Sequence, residues 1–252
     1  MPTNRPTPSR PRVADATVLP QHAPPTALRQ VHAAIVSCER CPRLRRYCLA
    51  IARTKRAAFR DETYWGRPVP GFGDADATVL VVGLAPAAHG ANRTGRVFTG
   101  DGTGGSGDFL MAAMHAAGFA NQSTSRSADD GLRLTGAFIA AAVRCAPPDN
   151  KPTPEEFERC SVHLAAEWNA LPRVRVVVAL GKLAYDACWR HLDAAGERLP
   201  KPRPAFAHGL QVDLPSGLAL IATYHPSRQN THTGRLTSSM MAEVFRQASR
   251  AI

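Results

Sequence analysis

Nowhere in the 252 residues does an apolar run approach the ~18 residues needed to cross a bilayer, so no transmembrane helix is expected. The amino terminus, MPTNRPTPSRPR, lacks an apolar core, so no secretory signal is expected and the cytoplasm, close to the nucleoid, is the expected location. Internal repeats are missing, which excludes solenoids and propellers. Acidic residues are scarce: 20 Asp and Glu face 31 Lys and Arg, giving a formal charge of +11. A field of that sign attracts polyanions. The densest basic segment, RCPRLRRYCLAIARTKRAAFR (40–60), lacks the aromatic face of an interfacial helix, which favours nucleic acid over a membrane surface.

What is present suits one α/β domain: 44% of residues are hydrophobic, enough for a sizeable core. Residues 1–27 are proline-rich, polar and aperiodic and are expected to form a disordered basic arm. The domain is expected over 28–252, opening with a helix whose apolar face is Leu28, Val31, Ile35 and Val36. Four continuously apolar runs follow: TVLVVGLAP (78–86), AFIAAAVRCAP (137–147), VRVVVALG (174–181) and LALIATYHP (218–226). Runs buried on both faces belong to parallel strands covered by helices. Helical stretches lie between them, one opened by a capping-box signature at Thr153, Pro154 and Glu156. The alternation predicts a three-layer α/β/α domain around a four-stranded, mainly parallel sheet. In such sheets ligands bind beyond the carboxyl ends of the strands. The loops GLAPAAHG, RCAPPDN, ALGKLA and TYHPSRQN are expected to converge on that rim.

Six cysteines stand at 38, 41, 48, 145, 160 and 188. Cys38 and Cys41 form C-x2-C, and Cys145 and Cys160 form C-x14-C. In a cytosolic chain, metal ligation explains two such pairs better than disulfides do. By spacing alone, zinc and a [4Fe–4S] cluster fit equally. Cys48 and Cys188 lie in helical patterns and are expected to be small buried hydrophobes. A non-catalytic, zinc-containing nucleic-acid module would satisfy these features as well as an enzyme would.

The loop GLAPAAHGANRTGRVFTGDGTGGSGDF (83–109) follows the first apolar run. Its glycines allow close approach of backbone to a ligand, and its arginines suggest an anion. GLAPAAHGANRTGRVFTGD (83–101), YHPSRQNTHTGRLT (224–237) and the cysteine spacing together resemble the uracil-DNA glycosylase superfamily, and more closely its family 5 iron–sulfur branch. The likeness covers roughly residues 30–250. It implies a [4Fe–4S] cluster on Cys38, Cys41, Cys145 and Cys160. It further implies a monomeric, monofunctional N-glycosylase acting on double-stranded and, in addition, single-stranded DNA.

The resemblance also distributes roles. Phe98 matches the phenylalanine that stacks on the extruded base. Gly83, Leu84, Ala85 and Ala87 line the base pocket, where backbone N–H groups meet the base edge. His225 matches the motif histidine that donates to the departing base. The strand-end carboxylates of sister families are missing, their places being taken by Ala85 and Leu84, so Asp101 is the acidic candidate beside the sugar. Arg93 and Arg96 are expected at phosphates, with a pairing to Asp101 as the alternative for one of them. Gln229 and Asn230 are expected to wedge the duplex while Arg228 and Arg235 hold phosphates. Ala87 replaces a tyrosine that excludes thymine, and Ala141 replaces an asparagine that reads uracil, leaving Asn150 or Asn121 as candidates. These departures imply a broad range: uracil, hydroxymethyluracil, hypoxanthine and ethenocytosine. A product-trapping relative would carry an extra basic loop, for which ANRTGRVFTGD shows no insertion.

Overall fold

A computed structural model describes residues 26–252. The arm expected over 1–27 lies outside the described residues except for its last two, which already belong to the first helix. In chain order the elements are α1 (Thr26–Val36), α2 (Pro42–Thr54), β1 (Phe72–Gly73), β2 (Val79–Gly83), α3 (Ala91–Thr94), α4 (Ser106–Ala116), β3 (Ala137–Ala141) and α5 (Pro154–Asn169). They continue with β4 (Val176–Leu180), α6 (Lys182–Ala194), β5 (Gln211–Asp213), β6 (Ala219–Thr223), α7 (Arg228–His232) and α8 (Ser238–Arg250).

The strands form one six-stranded sheet in the order β1-β3-β2-β4-β6-β5. Its four central strands, β3, β2, β4 and β6, are parallel, and every residue in them is buried. This is the two-sided burial that continuous apolar runs require. The expected four-stranded sheet gains two antiparallel edge strands, β1 on β3 and β5 on β6. They are two and three residues long and partly exposed, so no apolar run marks them in the sequence.

Alternate side chains of the central strands feed two cores. Val79, Val81, Ile139, Val178 and Ile221 meet Leu110 and Met114 of α4 and Met241, Val244, Phe245 and Ala248 of α8. The last four recur at helical spacing and seal one face. Leu80, Val82, Phe138, Val177 and Leu220 meet Leu28 of α1, Leu164 of α5 and Tyr185 and Cys188 of α6 on the other. Each such large side chain contributes roughly 1.5–3 kcal/mol of burial free energy. The expected capping box opens α5: Thr153 accepts from the Glu156 N–H, and Glu156 accepts from the Thr153 N–H. Glu156 also receives Nε and Nη2 of Arg43 at 2.8 and 2.7 Å, which fastens α2 to α5.

The chain leaves β2 for β3 on one side, whereas β4 and β6 lie on the other. The carboxyl ends of β2 and β4 are therefore a switch point of the sheet, where the following loops part and leave a crevice.

Candidate active site

β2 ends at Gly83, and the absence of a side chain there has a steric cause. A Cβ at Gly83 would lie 2.6 Å from Cε2 of Phe98. Phe98 itself takes a left-handed backbone, φ 49°, which a bulky residue adopts only where its surroundings impose it. Gly107, in the first turn of α4, leaves room for that conformation, since a Cβ there would collide with the Phe98 carbonyl. The Phe98 ring is thereby carried over the end of β2 to within 5.9 Å of the His225 ring, at an interplanar angle of 32°.

His225 follows β6 by two residues. Its carbonyl accepts from Ser227 N–H and from Asn230 Nδ2, both at 2.8 Å. Gly181, at φ 93°, lies below it; an added Cβ would be 3.2 Å from the His225 Cβ. Burial pushes the imidazole pKa down to about 4, so at neutral pH the ring is uncharged and offers a single N–H donor.

Asp101 sits in a turn between Gly100 and Gly102, at φ 81° and 84°, values that favour glycine. A Cβ at Gly90 would collide with its Oδ1. Burial raises its pKa to about 6, opposed by the Gly107 N–H and by the charges of Arg228 and Arg93. Nη2 of Arg228 reaches the Asp101 carbonyl at 3.4 Å, so the His225 loop and the Asp101 turn touch.

Leu84, Ala85 and Ala87 are half-buried along the same rim. Among the described residues, the N–H groups of Ala85, Ala87 and Ala88 donate to no protein acceptor. Ala85 and Ala88 rest on the cysteine-bearing segment.

Two expectations need correction. Arg93 and Arg96 do not face a phosphate: both are buried and fully engaged. Arg93 pairs with Glu62, lies 3.9 Å from the Phe59 ring centre and donates to the carbonyls of His89 and Gly100 at 2.9 and 2.8 Å. Arg96 grips both oxygens of Asp130 at 2.8 Å and bonds Thr99 and Ser125 at 2.8 and 3.1 Å. Its acid is therefore Asp130, not Asp101. Both arginines fasten the loop from below, and Arg93 holds the residue just before Asp101. Asn230 is likewise no free wedge, because its amide is turned inward onto His225. Arg228, Gln229 and Arg235 are exposed, and Arg235 stands over the Tyr224 ring at 4.5 Å. Of the two candidate asparagines, Asn121 is held by Gly131 and Arg133, while Asn150 is exposed at the rim after β3.

The cysteine pairs meet. Cys38 and Cys41 lie between α1 and α2, Cys145 follows β3, Cys160 is on α5, and all four line one cavity. Among the described residues, no three His, Cys, Asp or Glu side chains close on a single ion's position. Arg144 and His163 line the same cavity, and sequence reasoning gave no signal for either. Cys48 is buried beside the group, its thiol 3.6 Å from the Ala146 carbonyl, and Cys188 is buried in the core beneath α6.

A parallel sheet with a switch point, a Gly-rich loop after β2 and an HPS loop after β6 define a class. The family model of the uracil DNA glycosylase superfamily matches residues 70–249, and the chain belongs to that superfamily of DNA N-glycosylases. Within it, the chain is similar to the type-5 uracil-DNA glycosylase of Thermus thermophilus, 50% identical over 86% of this chain and 94% of the relative. It is similar also to those of Mycobacterium bovis, 48% identical over 88% of this chain and 80% of the relative, and Pyrobaculum aerophilum, 46% over 85% and 89%. No helix among the described residues is long and apolar enough to cross a membrane.

Proposed function

We propose that the chain excises uracil from DNA by hydrolysing its N-glycosidic bond, leaving an abasic site for base excision repair. The observation that carries this reading is the Phe98 ring 5.9 Å from a neutral His225 beyond the carboxyl ends of β2 and β6, with the partly buried Asp101 in a turn that the His225 loop reaches through Arg228. A base extruded from the stack needs a π-face to replace its neighbours, and Phe98 offers one. Breaking the C1′–N bond places negative charge on the base and positive charge on the sugar. An uncharged imidazole donates a hydrogen bond to the base as it leaves. Asp101, mostly ionised at neutral pH, stabilises the sugar cation and orients the attacking water, effects realised in the transition state. Exposed Arg228 and Arg235 neutralise phosphates, and Gln229 is the side chain free to enter the duplex.

The broader range (hydroxymethyluracil, hypoxanthine and ethenocytosine) rests on the small Ala87 and Ala141. The test is incubation with duplexes and single strands that each carry one damaged base, followed by alkaline cleavage. Uracil duplexes should be cut; failure on every substrate would refute the reading. Ala87→Tyr should reduce excision of the larger substrates far more than of uracil. The enzyme is taken to act as a monomer, in the cytoplasm at the nucleoid.

Cys38, Cys41, Cys145 and Cys160 would hold a [4Fe–4S] cluster. A single zinc ion asks four thiolates to converge at about 2.3 Å, which the described residues do not do. Thiols spread around a cavity suit a multi-atom cluster instead. Buried donor atoms of Arg144 and His163, without protein acceptors, line that cavity and suit an anionic, sulfur-rich occupant. When bound, the cluster braces the loops that carry the site, since hydrolysis moves no electrons. Brown protein containing iron and acid-labile sulfide is expected; colourless protein containing zinc would refute this part alone.

A further inference from the structure

Arg144 is the largest fully buried side chain among the described residues, at 1% exposure. Such burial of a guanidinium is costly unless its donors are used. Its charge is paired: Nη1 lies 2.7 Å from Oε2 of Glu167, itself wholly buried, in an ion pair whose alignment is not that of a hydrogen bond. Glu167 is fixed in turn by the Gly71 N–H at 2.6 Å and lies 3.4 Å from His32. The guanidinium is a rigid planar fork with five N–H donors, so holding Nη1 against Glu167 limits where the others can point. None of its three nitrogens makes a hydrogen bond among the described residues, the contact of Nη1 with Glu167 being an ion pair only. The residue lines the four-cysteine cavity, and its own backbone N–H donates to the Cys160 sulfur at 3.2 Å.

His163 repeats the pattern from the other wall. It stands three positions after Cys160 on α5, hence on the same helical face. It is buried, it lines the cavity, and its Nε2 has no hydrogen-bond partner among the described residues. Unsatisfied buried donors are rare in folded proteins and call for an explanation. Two converging on one set of thiols share one.

We propose that Arg144 and His163 donate N–H hydrogen bonds to sulfur atoms of the iron–sulfur cluster and hold its reduction potential up. This rests on the cluster assigned above. The physical reason is charge. Reduction adds an electron to an already anionic group of four thiolates and sulfides, and donors at the sulfurs stabilise the more negative state more. Glu167 acts through Arg144 as a positioning residue: it points the fork at the cavity.

The test is a redox titration of the anaerobically purified full chain, followed by electron paramagnetic resonance, with iron and sulfide counted for every sample. Arg144→Gln is made together with Glu167→Gln, so that no buried carboxylate is stranded, and is compared with Glu167→Gln alone. His163→Leu, which leaves the Arg144–Glu167 pair intact, is the second variant and decides the matter if the first does not fold. At fixed ambient potential, the ratio of reduced to oxidised cluster should fall about tenfold in the Arg144 variant, a shift of about 59 mV for one electron. It should fall less, in the same direction, in His163→Leu. Iron content and uracil excision should stay at parental levels. Fully loaded variants that both titrate at the parental potential would overturn the proposal and leave Arg144 as the partner of Glu167 only. A parent protein without iron would overturn it by removing the cluster, while its excision assay reports separately on the glycosylase reading.

Discussion

The ring of Phe98 and the imidazole of His225 stand 5.9 Å apart, one on the loop after β2 and the other on the loop after β6. Neither strand touches the other, since β4 lies between them. The Phe98 ring instead leans over Gly83 and the Cβ of His225 rests against Gly181, two glycines whose missing side chains leave the space.

Gly83→Ala should therefore damage the site out of proportion to its size. The new methyl would sit 2.6 Å from the Phe98 ring, which must move. Overpacking of this kind costs roughly 1–3 kcal/mol in stability, and single-turnover excision should fall at least tenfold as the stacking face is displaced. Parental excision by Gly83→Ala would show that Phe98 does not receive the base.

Asp101→Asn should slow single-turnover excision about 10²-fold, a typical loss for one electrostatic stabiliser. In the parent, the rate should decline as pH falls through about 6, where the carboxylate protonates, and the residual rate of the variant should lack that limb. Stability moves the other way. A folded-state pKa above the usual carboxylate value means that ionisation opposes folding above pH 6 and that this penalty fades as pH falls toward 4. Thermal unfolding of Asp101→Asn should accordingly show it more stable than the parent at pH 8, by at most about 3 kcal/mol at ~1.36 kcal/mol per pKa unit, with the gap closing in acid. A variant less stable than the parent at pH 8 would mean that the carboxylate anchors the turn.

His225 carries the opposite linkage. Its folded pKa, about 4, lies below the ~6.5 of an unfolded histidine. The stability tied to the neutral ring is complete above pH 6.5 and is lost as pH falls through 4. His225→Gln should flatten that acid loss in a melting series, and His225→Ala should reduce excision by a factor similar to that of Asp101→Asn. Unchanged excision by His225→Ala would remove the ring from the reaction.

The arginines separate into two groups. Arg228→Ala and Arg235→Ala should each weaken DNA binding and reduce the slope of log K against log salt by about one. Arg96→Met should lower the melting temperature, because it strands Asp130, while leaving that slope unchanged. Salt titrations of fluorescently labelled duplex would distinguish them; a reduced slope for Arg96→Met would return Arg96 to the phosphate contacts.

Cys41→Ala, Cys145→Ala and Cys160→Ala should each lose iron and stability, whereas Cys48→Ala and Cys188→Ala should retain a full complement of iron. Iron per chain decides it, and a loaded Cys160→Ala would exclude that ligand.

The central strands were legible because burial on both faces writes itself as an unbroken apolar run. The Thr153–Glu156 capping box was legible because its partners are three residues apart. Phe98, Asp101 and His225 are legible through motif resemblance, but the left-handed backbone of Phe98 and the glycines that accommodate it leave no mark in the sequence. Arg93 and Arg96 are misleading in the sequence for a definite reason. A basic residue in a glycine-rich loop looks available, and its acids, Glu62 and Asp130, lie in distant segments that only the fold brings near. The same holds for Arg144, whose partner Glu167 sits in the last turn of α5.

The alanines of the first rim loop do not share one neighbourhood: Ala85 and Ala88 rest against the cysteine-bearing segment, whereas Ala87 lies close to Gly90. Evolutionary and laboratory change therefore meets different resistance at neighbouring positions of this stretch. Enlarging residue 87 presses toward Gly90 and leaves the cysteine segment undisturbed. Any enlargement at 85 or 88 must be matched by a rebuilt cysteine segment, so drift at those two positions is tied to the packing around Cys41, Cys145 and Cys160.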